Sequence, residues 1–456
     1  MESTLADVDL VKRTERRILF FTCAAHAMAH VYMGTLSVVL LPMRDDLGLS
    51  IPDLTWYGMF GAVLYGLGAL PAGLLSDRWG EKALLSAFFF LTAAGGAAVG
   101  LSRSPLTLSL GMALMGLGAS IFHPAGNSWI ARGFRSPGRA MGINGLWGSL
   151  GEAAGPIAAA GIAVLLSWRW AYLAYAAPMA AIGGWLMLSR AEAPSGPHAG
   201  PAGPLPAAPA AVSPAGGEGL LEVESPGTPW SISGRWRVLA FLFAAMICGG
   251  MQFWMVKTML PTHVQAHTSL RGESRESIPE ASPSDSLRGG YLTGFIYAIG
   301  GIGQYGVGCF VDRRDGRGVY CLLFAALAPL VYAVGRLDGA ALVAVGCLMS
   351  VLLFSVQPVE NTLLARLSPR RWQGLVFGIK FVLTFGIGGF GTYLSGWLAE
   401  GSGTPGVFTA ASAFTMAALV FALCALAGAR SGKYRPGAGS EGWPGPLPRP
   451  ALKAVE

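Results

Sequence analysis

Apolar runs long enough to cross a membrane dominate this chain. About 20 apolar residues cross the hydrocarbon core of a bilayer as a helix. The runs are continuous and do not alternate between apolar and polar positions, so they predict helices rather than the strands of a barrel. We number twelve such runs as spans 1 to 12: 18–43, 54–76, 83–101, 106–131, 141–166, 169–189, 236–262, 289–311, 317–336, 339–365, 374–399 and 403–429.

The composition supports a membrane protein. Of 456 residues, 53% are hydrophobic and 12% are charged, whereas about 25% are charged in a typical globular protein. This argues against a water-soluble enzyme, a nucleic-acid-binding protein or a disordered scaffold. The six cysteines fall inside apolar runs, and no two have the spacing of metal ligands. We therefore expect neither disulfides nor a metal site, and no sequence motif points to a cofactor or to an enzyme.

The positive charges are distributed unevenly along the chain. If both termini are cytoplasmic, the cytoplasmic segments hold 23 of the 32 lysines and arginines, and the outer loops hold seven. This asymmetry predicts that orientation in the cell membrane. The first apolar run is too long for the core of a cleaved signal peptide, so we expect it to remain as span 1.

Polar and low-complexity segments divide the chain. A stretch dominated by Pro, Ala, Gly and Ser separates spans 6 and 7, and it cannot bury enough apolar surface to order itself. The predicted organisation is an N-terminal cytoplasmic tail (1–17), a six-helix bundle (18–190), a flexible cytoplasmic tether (191–235), a second six-helix bundle (236–430) and a disordered cytoplasmic tail (431–456).

The two halves of the chain repeat each other. Polar residues flank a proline at corresponding places in spans 4 and 10, and a glycine precedes an Asp-Arg pair after spans 2 and 8. Two parallel six-helix repeats predict a binding site between them, near the membrane midplane. The matching residues are His123, Pro124 and Asn127 with Gln357, Pro358 and Asn361, and Gly73, Asp77 and Arg78 with Gly308, Asp312 and Arg313.

The loop between spans 2 and 3 resembles the cytoplasmic loop motif of the major facilitator superfamily. The resemblance implies an all-α membrane protein with twelve transmembrane helices in two pseudo-symmetric six-helix bundles, whose cavity is lined by spans 1, 4, 7 and 10. We expect the loop and its second copy to latch one conformation of the cytoplasmic face; the alternative is a solvated turn that only fixes topology. The first copy comprises Gly73, Asp77, Arg78, Gly80 and Lys82, and the second comprises Gly308, Asp312 and Arg313.

Span 5 resembles the motif of the antiporter branch of that superfamily, through Gly142, Gly151, Gly155 and Pro156. It departs from the motif at 159–160, where two alanines replace a glycine pair. Ordinary packing of small residues is the alternative. The His-Pro pair of span 4, after a glycine-rich start, is similar to the fosmidomycin-resistance type of drug exporter.

Ionisable residues inside the spans are costly in hydrocarbon and therefore mark candidate functional groups. His26, His30 and His123 are predicted to relay protons or contact substrate. They could instead only stabilise helix contacts. A metal site is disfavoured because no carboxylate completes one in the same half-helix.

Two carboxylates and two lysines also lie in the spans. A desolvated carboxyl group can take up and release protons, so Glu152 and Glu360 are candidates for proton coupling. Glu360 could instead form a permanent ion pair with Lys380. Lys257 could clamp an anion together with Lys380, or could extend to the outer interface. Among the polar and aromatic residues, Asn127, Gln357, Asn361 and Trp254 are candidates for the substrate cavity, with packing as the alternative for Trp254.

We therefore predict a monomeric secondary transporter that works by alternating access. Its expected partners are a small organic substrate, protons and the lipid bilayer, and the favoured reaction is proton-coupled efflux. The first alternative is uptake or exchange of an anionic metabolite held by Lys257 and Lys380. The second is a non-transporting membrane sensor, although neither tether nor tail supplies an ordered signalling domain.

Overall fold

The predicted helices form in the three-dimensional structure. The computed structural model describes residues 2–134, 137–189, 232–268, 283–311, 316–367 and 373–430. Within these ranges the chain is almost entirely helical and contains no strand. The all-helical prediction is confirmed.

The helices follow the order of the predicted spans. Those of spans 1 to 6 are Glu2–Leu47, Ile51–Leu67 with Ala69–Trp79, Glu81–Gly100, Pro105–Ser120 with Phe122–Gly133, Pro137–Leu165 and Trp170–Leu188. Those of spans 7 to 10 are Ile232–His267, Pro283–Val311, Gly316–Val334 and Gly339–Leu367. Span 11 consists of Gln373–Phe381, the π-helical turn Val382–Ile387 and the start of Phe390–Arg430, whose remainder is span 12.

Nine helices of the described chain are long and apolar enough to cross a membrane, or ten if the bent pair of span 2 counts as one crossing. The longest of them contains both span 11 and span 12. These two spans separate at Gly403, whose φ of 68° lies in the left-handed region that glycine adopts without strain. Pro283–Val311, with 29 residues, supplies span 8 and packs against spans 5, 7 and 10. Together these helices account for the twelve predicted spans.

Some predicted segments fall wholly or partly outside the described residues. Residues 2–17 continue the helix of span 1. Of the predicted tether, only the residues from Ile232 onward are described, as the start of the span 7 helix. The predicted tail lies outside the described ranges.

Spans 2, 4 and 11 are interrupted near the middle of the protein. Span 2 bends by 41° between its two helices, and span 4 breaks at Ile121. A side chain at Gly68 would overlap Ser120, so the two breaks lie against each other. The π-helical turn of span 11 is the third interruption, and such turns are frequent at functional sites.

Small residues bring the two bundles together. Contacts between the bundles join span 1 to span 7, span 2 to span 11, and span 5 to span 8. A Cβ at Gly66 would overlap the backbone of Gly386, and a Cβ at Gly290 would overlap Ala160. Backbones can approach this closely only where side chains are absent or small.

The contact between Gly66 and Gly386 gives the first prediction. We expect Gly66→Ala to disfavour the conformation in which spans 2 and 11 touch, by roughly 1–3 kcal/mol, because overpacking costs that much in tight sites. Electron-electron distance measurements between spin labels at the exposed positions Leu101 and Trp397 should show longer distances between the bundles.

Gly161→Ala is the matched control, since Gly161 has open space beside it. An unchanged distance distribution in Gly66→Ala would contradict the prediction.

Candidate functional site

Glu152 lies where the two bundles meet. It belongs to span 5, and a Cβ at the neighbouring Gly151 would overlap the backbone of Ala27 in span 1. This close packing places Glu152 beside span 1, with 8% of its surface exposed. One oxygen, Oε1, lies 2.5 Å from Nδ1 of His30 and 2.7 Å from Nζ of Lys257.

The pair of Glu152 and Lys257 connects the bundles. Lys257 belongs to span 7 of the second bundle and is 6% exposed. Its ammonium group therefore points into the protein and does not extend to the outer interface, which was one alternative for it. A buried ion pair is destabilised strongly when one partner is removed. If spans 5 and 7 moved apart, each member of this pair would lose its partner, which is unfavourable for a buried ion.

The three candidate histidines converge beside this pair. The ring of His26 lies 5.0 Å from that of His30 and 5.3 Å from that of His123, between centroids. Nδ1 of His26 is 2.8 Å from the backbone oxygen of Asn144 in span 5. His123 also stacks on Phe381 of span 11, at 5.6 Å. The cluster thus extends from spans 1 and 4 to the second bundle.

A second buried ion pair lies entirely within the second bundle. Nζ of Lys380 is 3.2 Å from Oε2 of Glu360 and donates a hydrogen bond of 2.6 Å to Oδ1 of Asn361. The hydroxyl of Tyr320 donates to Oε1 of Glu360 at 2.8 Å. The geometry matches the ion-pair alternative for Glu360, since Lys380 is fully buried and Glu360 almost so.

A cavity of about 430 Å³, counting the space open to solvent, lies between the bundles. Trp254 and Lys257 of span 7 line it, together with Tyr32 of span 1 and Met115 of span 4. Two other candidates, Lys380 and Asn361, belong instead to the second ion pair. Asn127 and Gln357 are half-buried, and neither is part of the described cavity lining. Two of the residues that the sequence suggested for the substrate cavity, Trp254 and Lys257, therefore line it.

The structure describes the first loop motif only in part. Gly80 has a φ of 82°, which requires glycine between two helices. A Cβ at Gly73 would lie 3.7 Å from Cβ of Pro124 in span 4. Arg78 is exposed, and Nζ of Lys82 donates to the backbone oxygen of Ser189. The side chain of Asp77 lies outside the described set, as do Asp312 and Arg313; Gly308 is described only as part of the span 8 helix. The latch stays a prediction.

The glycines of span 5 divide into two groups. Gly151 and Gly155 approach span 1, where a Cβ at Gly155 would lie 3.1 Å from Cα of Val31. Pro156 and the following turn face span 8 at Gly290, whereas Gly142 has open space beside it. The motif therefore holds span 5 between its own bundle and the opposite one.

Sequence reasoning did not assign roles to three polar residues of this region. Asn144 orients His26, Tyr320 binds Glu360, and Glu81 pairs with Arg132 of span 4 at 2.9 Å. Asn144 and Tyr320 are polar positions in apolar runs, which is a signal that could have identified them. Their partners lie on other helices, so the partners could not be identified from spacing.

The second ion pair gives a stability prediction. Lys380→Met should leave Glu360 as an unpaired buried charge and destabilise the protein by about 3–5 kcal/mol. The double variant Glu360→Gln/Lys380→Met removes both charges and should recover most of that loss. Thermal unfolding of purified protein in detergent measures both. A double variant no more stable than Lys380→Met would contradict the ion-pair assignment.

Comparisons with known proteins agree with this architecture. The family profile described as Major Facilitator Superfamily matches residues 22–392. The chain is 27% identical over 185 residues to a probable L-galactonate transporter of Escherichia coli K12, covering 40% of each chain. It is 30% identical over 145 residues to the puromycin resistance protein of Streptomyces alboniger, covering 30% of this chain and 28% of that protein. The matches span less than half the length of these relatives.

A solved structure shares the fold. It is a bacterial homologue of the human lysosomal transporter Spinster in an inward-facing, occupied conformation, with a TM-score of 0.67, 13% identity and coverage of 91% of this chain and 97% of that one. The fosmidomycin-resistance branch stays a prediction. The chain belongs to the Major Facilitator Superfamily and is a multi-pass membrane protein.

Proposed function

We propose that this transporter exports a small organic solute in exchange for protons, with Glu152 as the proton-binding group. The observation that carries the proposal is the contact of Glu152 with Lys257 across the two bundles and with His30 in its own bundle. A transporter of this architecture alternates by rocking one bundle against the other around a central site. A charge pair across that boundary links the motion to the charge of Glu152.

The linkage follows from electrostatics. When spans 5 and 7 move apart, ionised Glu152 loses its cationic partner in surroundings of low dielectric, which is costly. A proton on Glu152 removes the carboxylate's share of that cost, and the ammonium of Lys257 then needs water or an anion as its partner. Proton binding and opening of the Glu152–Lys257 contact therefore favour each other.

The histidines supply a route for the proton. His30 contacts Glu152 directly, and the rings of His26 and His123 continue from it toward Phe381. Imidazole exchanges protons near neutral pH and suits such a relay. Glu360 is held by Lys380 and Tyr320 within one bundle, so we assign it a structural role.

Two observations favour export. The span 5 motif resembles that of antiporters. Two similar proteins carry resistance names, the puromycin resistance protein and the methylenomycin A resistance protein of Bacillus subtilis 168, which is 24% identical over 159 residues and covers 34% of each chain. We propose that this chain likewise removes an organic compound from the cell.

The coupling prediction concerns Glu152→Gln. The amide oxygen can still accept a hydrogen bond from Lys257 but cannot carry the proton cycle. In proteoliposomes, an imposed pH gradient should accelerate flux of the native protein, and Glu152→Gln should lose that acceleration.

Glu400→Gln, which alters an exposed carboxylate, is the matched control and should retain the acceleration. If the flux of the native protein does not respond to the pH gradient, the proposal of proton coupling is wrong. If Glu152→Gln responds as the native protein does, only the assignment of the proton-binding group to Glu152 is wrong.

A second candidate function is transport of an anionic metabolite. Lys257 lines the cavity, and the buried Nε1 of Trp254 beside it has no hydrogen-bond partner among the described residues. An anion bound there could replace Glu152 as the partner of Lys257 and accept from the indole. The likeness to a probable L-galactonate transporter favours this candidate. Lys380 is absent from the described cavity lining, so Lys257 would be the anion's only cationic partner among the described lining residues.

The two candidates differ in their substrates. We expect the double variant Glu152→Gln/Lys257→Gln, which leaves no unpaired charge, to transport neutral compounds without a response to pH if the protein is a drug exporter. If it is an anion transporter, the same variant should lose anion flux. A panel of neutral and anionic compounds in proteoliposomes distinguishes these results.

A further inference from the structure

Three imidazole rings meet beside the cavity in the arrangement of metal ligands. His26 and His30 lie one turn apart on span 1, and His123 faces them from span 4. One ring nitrogen from each histidine lies within 4.8 Å of those from the other two. Spacing along the sequence supplies only the first two ligands, whereas the fold adds the third.

The hydrogen bonds of two rings leave a nitrogen free for a metal. Nδ1 of His26 is 2.8 Å from the backbone oxygen of Asn144, which can only accept, so this nitrogen carries the hydrogen. Nδ1 of His30 lies 2.5 Å from a carboxylate oxygen of Glu152, which favours the same tautomer. In both rings Nε2 then keeps its lone pair. Histidines that bind metals use this arrangement, with the second nitrogen donating to a carbonyl or a carboxylate.

His123 can complete the site through a ring nitrogen, since its described contacts are with aromatic rings and not with hydrogen-bonding groups. It follows directly after the break of span 4 at Ile121, and it lies among the rings of Tyr65, Phe122 and Phe381. No described residue hydrogen bonds to it. Ligands of a tetrahedral Zn²⁺ lie about 2.0–2.1 Å from the metal and about 3.4 Å from each other. In this structure the three nitrogens lie within 4.8 Å of one another, so metal binding requires the rings to move closer together.

The surrounding charges tolerate a cation. Glu152 is bonded to His30 and places a negative charge directly behind the imidazoles. The two nearby lysines, Lys257 and Lys380, are each paired with a carboxylate, so neither is an uncompensated charge facing the cluster.

We propose that His26, His30 and His123 bind one divalent first-row transition metal, with Zn²⁺ as the occupant and a fourth position open to water. Imidazole ligands suit Zn²⁺, and three protein ligands with an open fourth position are a common zinc geometry. The bound metal takes the lone pairs of all three rings and prevents them from relaying protons. Zn²⁺ should therefore inhibit flux. This inhibition rests on the proposed function, whereas the binding of the metal is independent of it.

Binding can be tested without transport. Purified protein without an affinity tag is titrated with Co²⁺, whose tetrahedral complexes absorb strongly in the visible range, and Zn²⁺ is then added as competitor. We expect one Co²⁺ per chain, displaced by Zn²⁺, with affinity at least about 10-fold weaker in His123→Ala and in His26→Gln. The two variants lie on different helices, so a folding defect in one of them does not invalidate the test. Thermal unfolding shows whether each variant is folded.

His267→Asn is the control, because His263 and His267 form a separate histidine pair with rings 4.2 Å apart. It should leave the titration unchanged. Absence of a stoichiometric Co²⁺ signal, or affinities unchanged in both cluster variants, would overturn the metal site.

Flux measurements test the consequence separately. Zn²⁺ should inhibit proton-coupled flux of the native protein and should have little effect on any flux that His123→Ala retains. Binding without inhibition would overturn the role of the metal in blocking the relay. If the native protein proves indifferent to the pH gradient, the proposed function fails, and the Co²⁺ titration still decides the metal site.

Discussion

One buried ion pair links the two bundles of this protein. Glu152 and Lys257 meet at 2.7 Å, and both residues are buried. In such surroundings an ion is costly unless a partner or a proton compensates it. The relative position of the bundles and the charge of Glu152 are therefore not independent. His30 is the second partner of Glu152, and it connects the histidine cluster to this ion pair.

Helix packing determines where this pair can form. Gly151 brings span 5 against span 1, and Pro156 with the following turn faces span 8 through Ala160 and Gly290. A larger residue at these positions would push the helices apart and move Glu152 out of reach of Lys257. Glycine-rich composition, which is unfavourable in an isolated helix, is here a requirement of close backbone approach.

The two buried ion pairs have the same chemistry but different positions relative to the boundary between the bundles. Glu360 and Lys380 lie on neighbouring helices of one bundle, where Tyr320 donates a hydrogen bond to Glu360 and Asn361 accepts one from Lys380. A rocking motion that keeps each bundle intact does not separate them. The Glu152–Lys257 pair, in contrast, crosses the boundary between the bundles, where the proposed rocking motion would take place. Under that proposal, the position of a pair relative to this boundary, rather than its burial or distance, decides whether it is structural or takes part in switching.

The sequence determined the helices, their order and the twofold repeat, because the length of an apolar run and the recurrence of motifs such as His123-Pro124 and Gln357-Pro358 are properties of the chain itself. It also identified the ionisable residues, since each is an exception within an apolar run. It suggested one partner, Lys380 for Glu360, only as an alternative, and it suggested none for Glu152. Whether Glu152 meets Lys257, or Lys380 meets Glu360, depends on which helix faces rotate toward each other, and the third histidine joins the first two only through contact between spans 1 and 4. Those choices are made by side-chain packing between helices distant in sequence, and the tertiary structure alone records them.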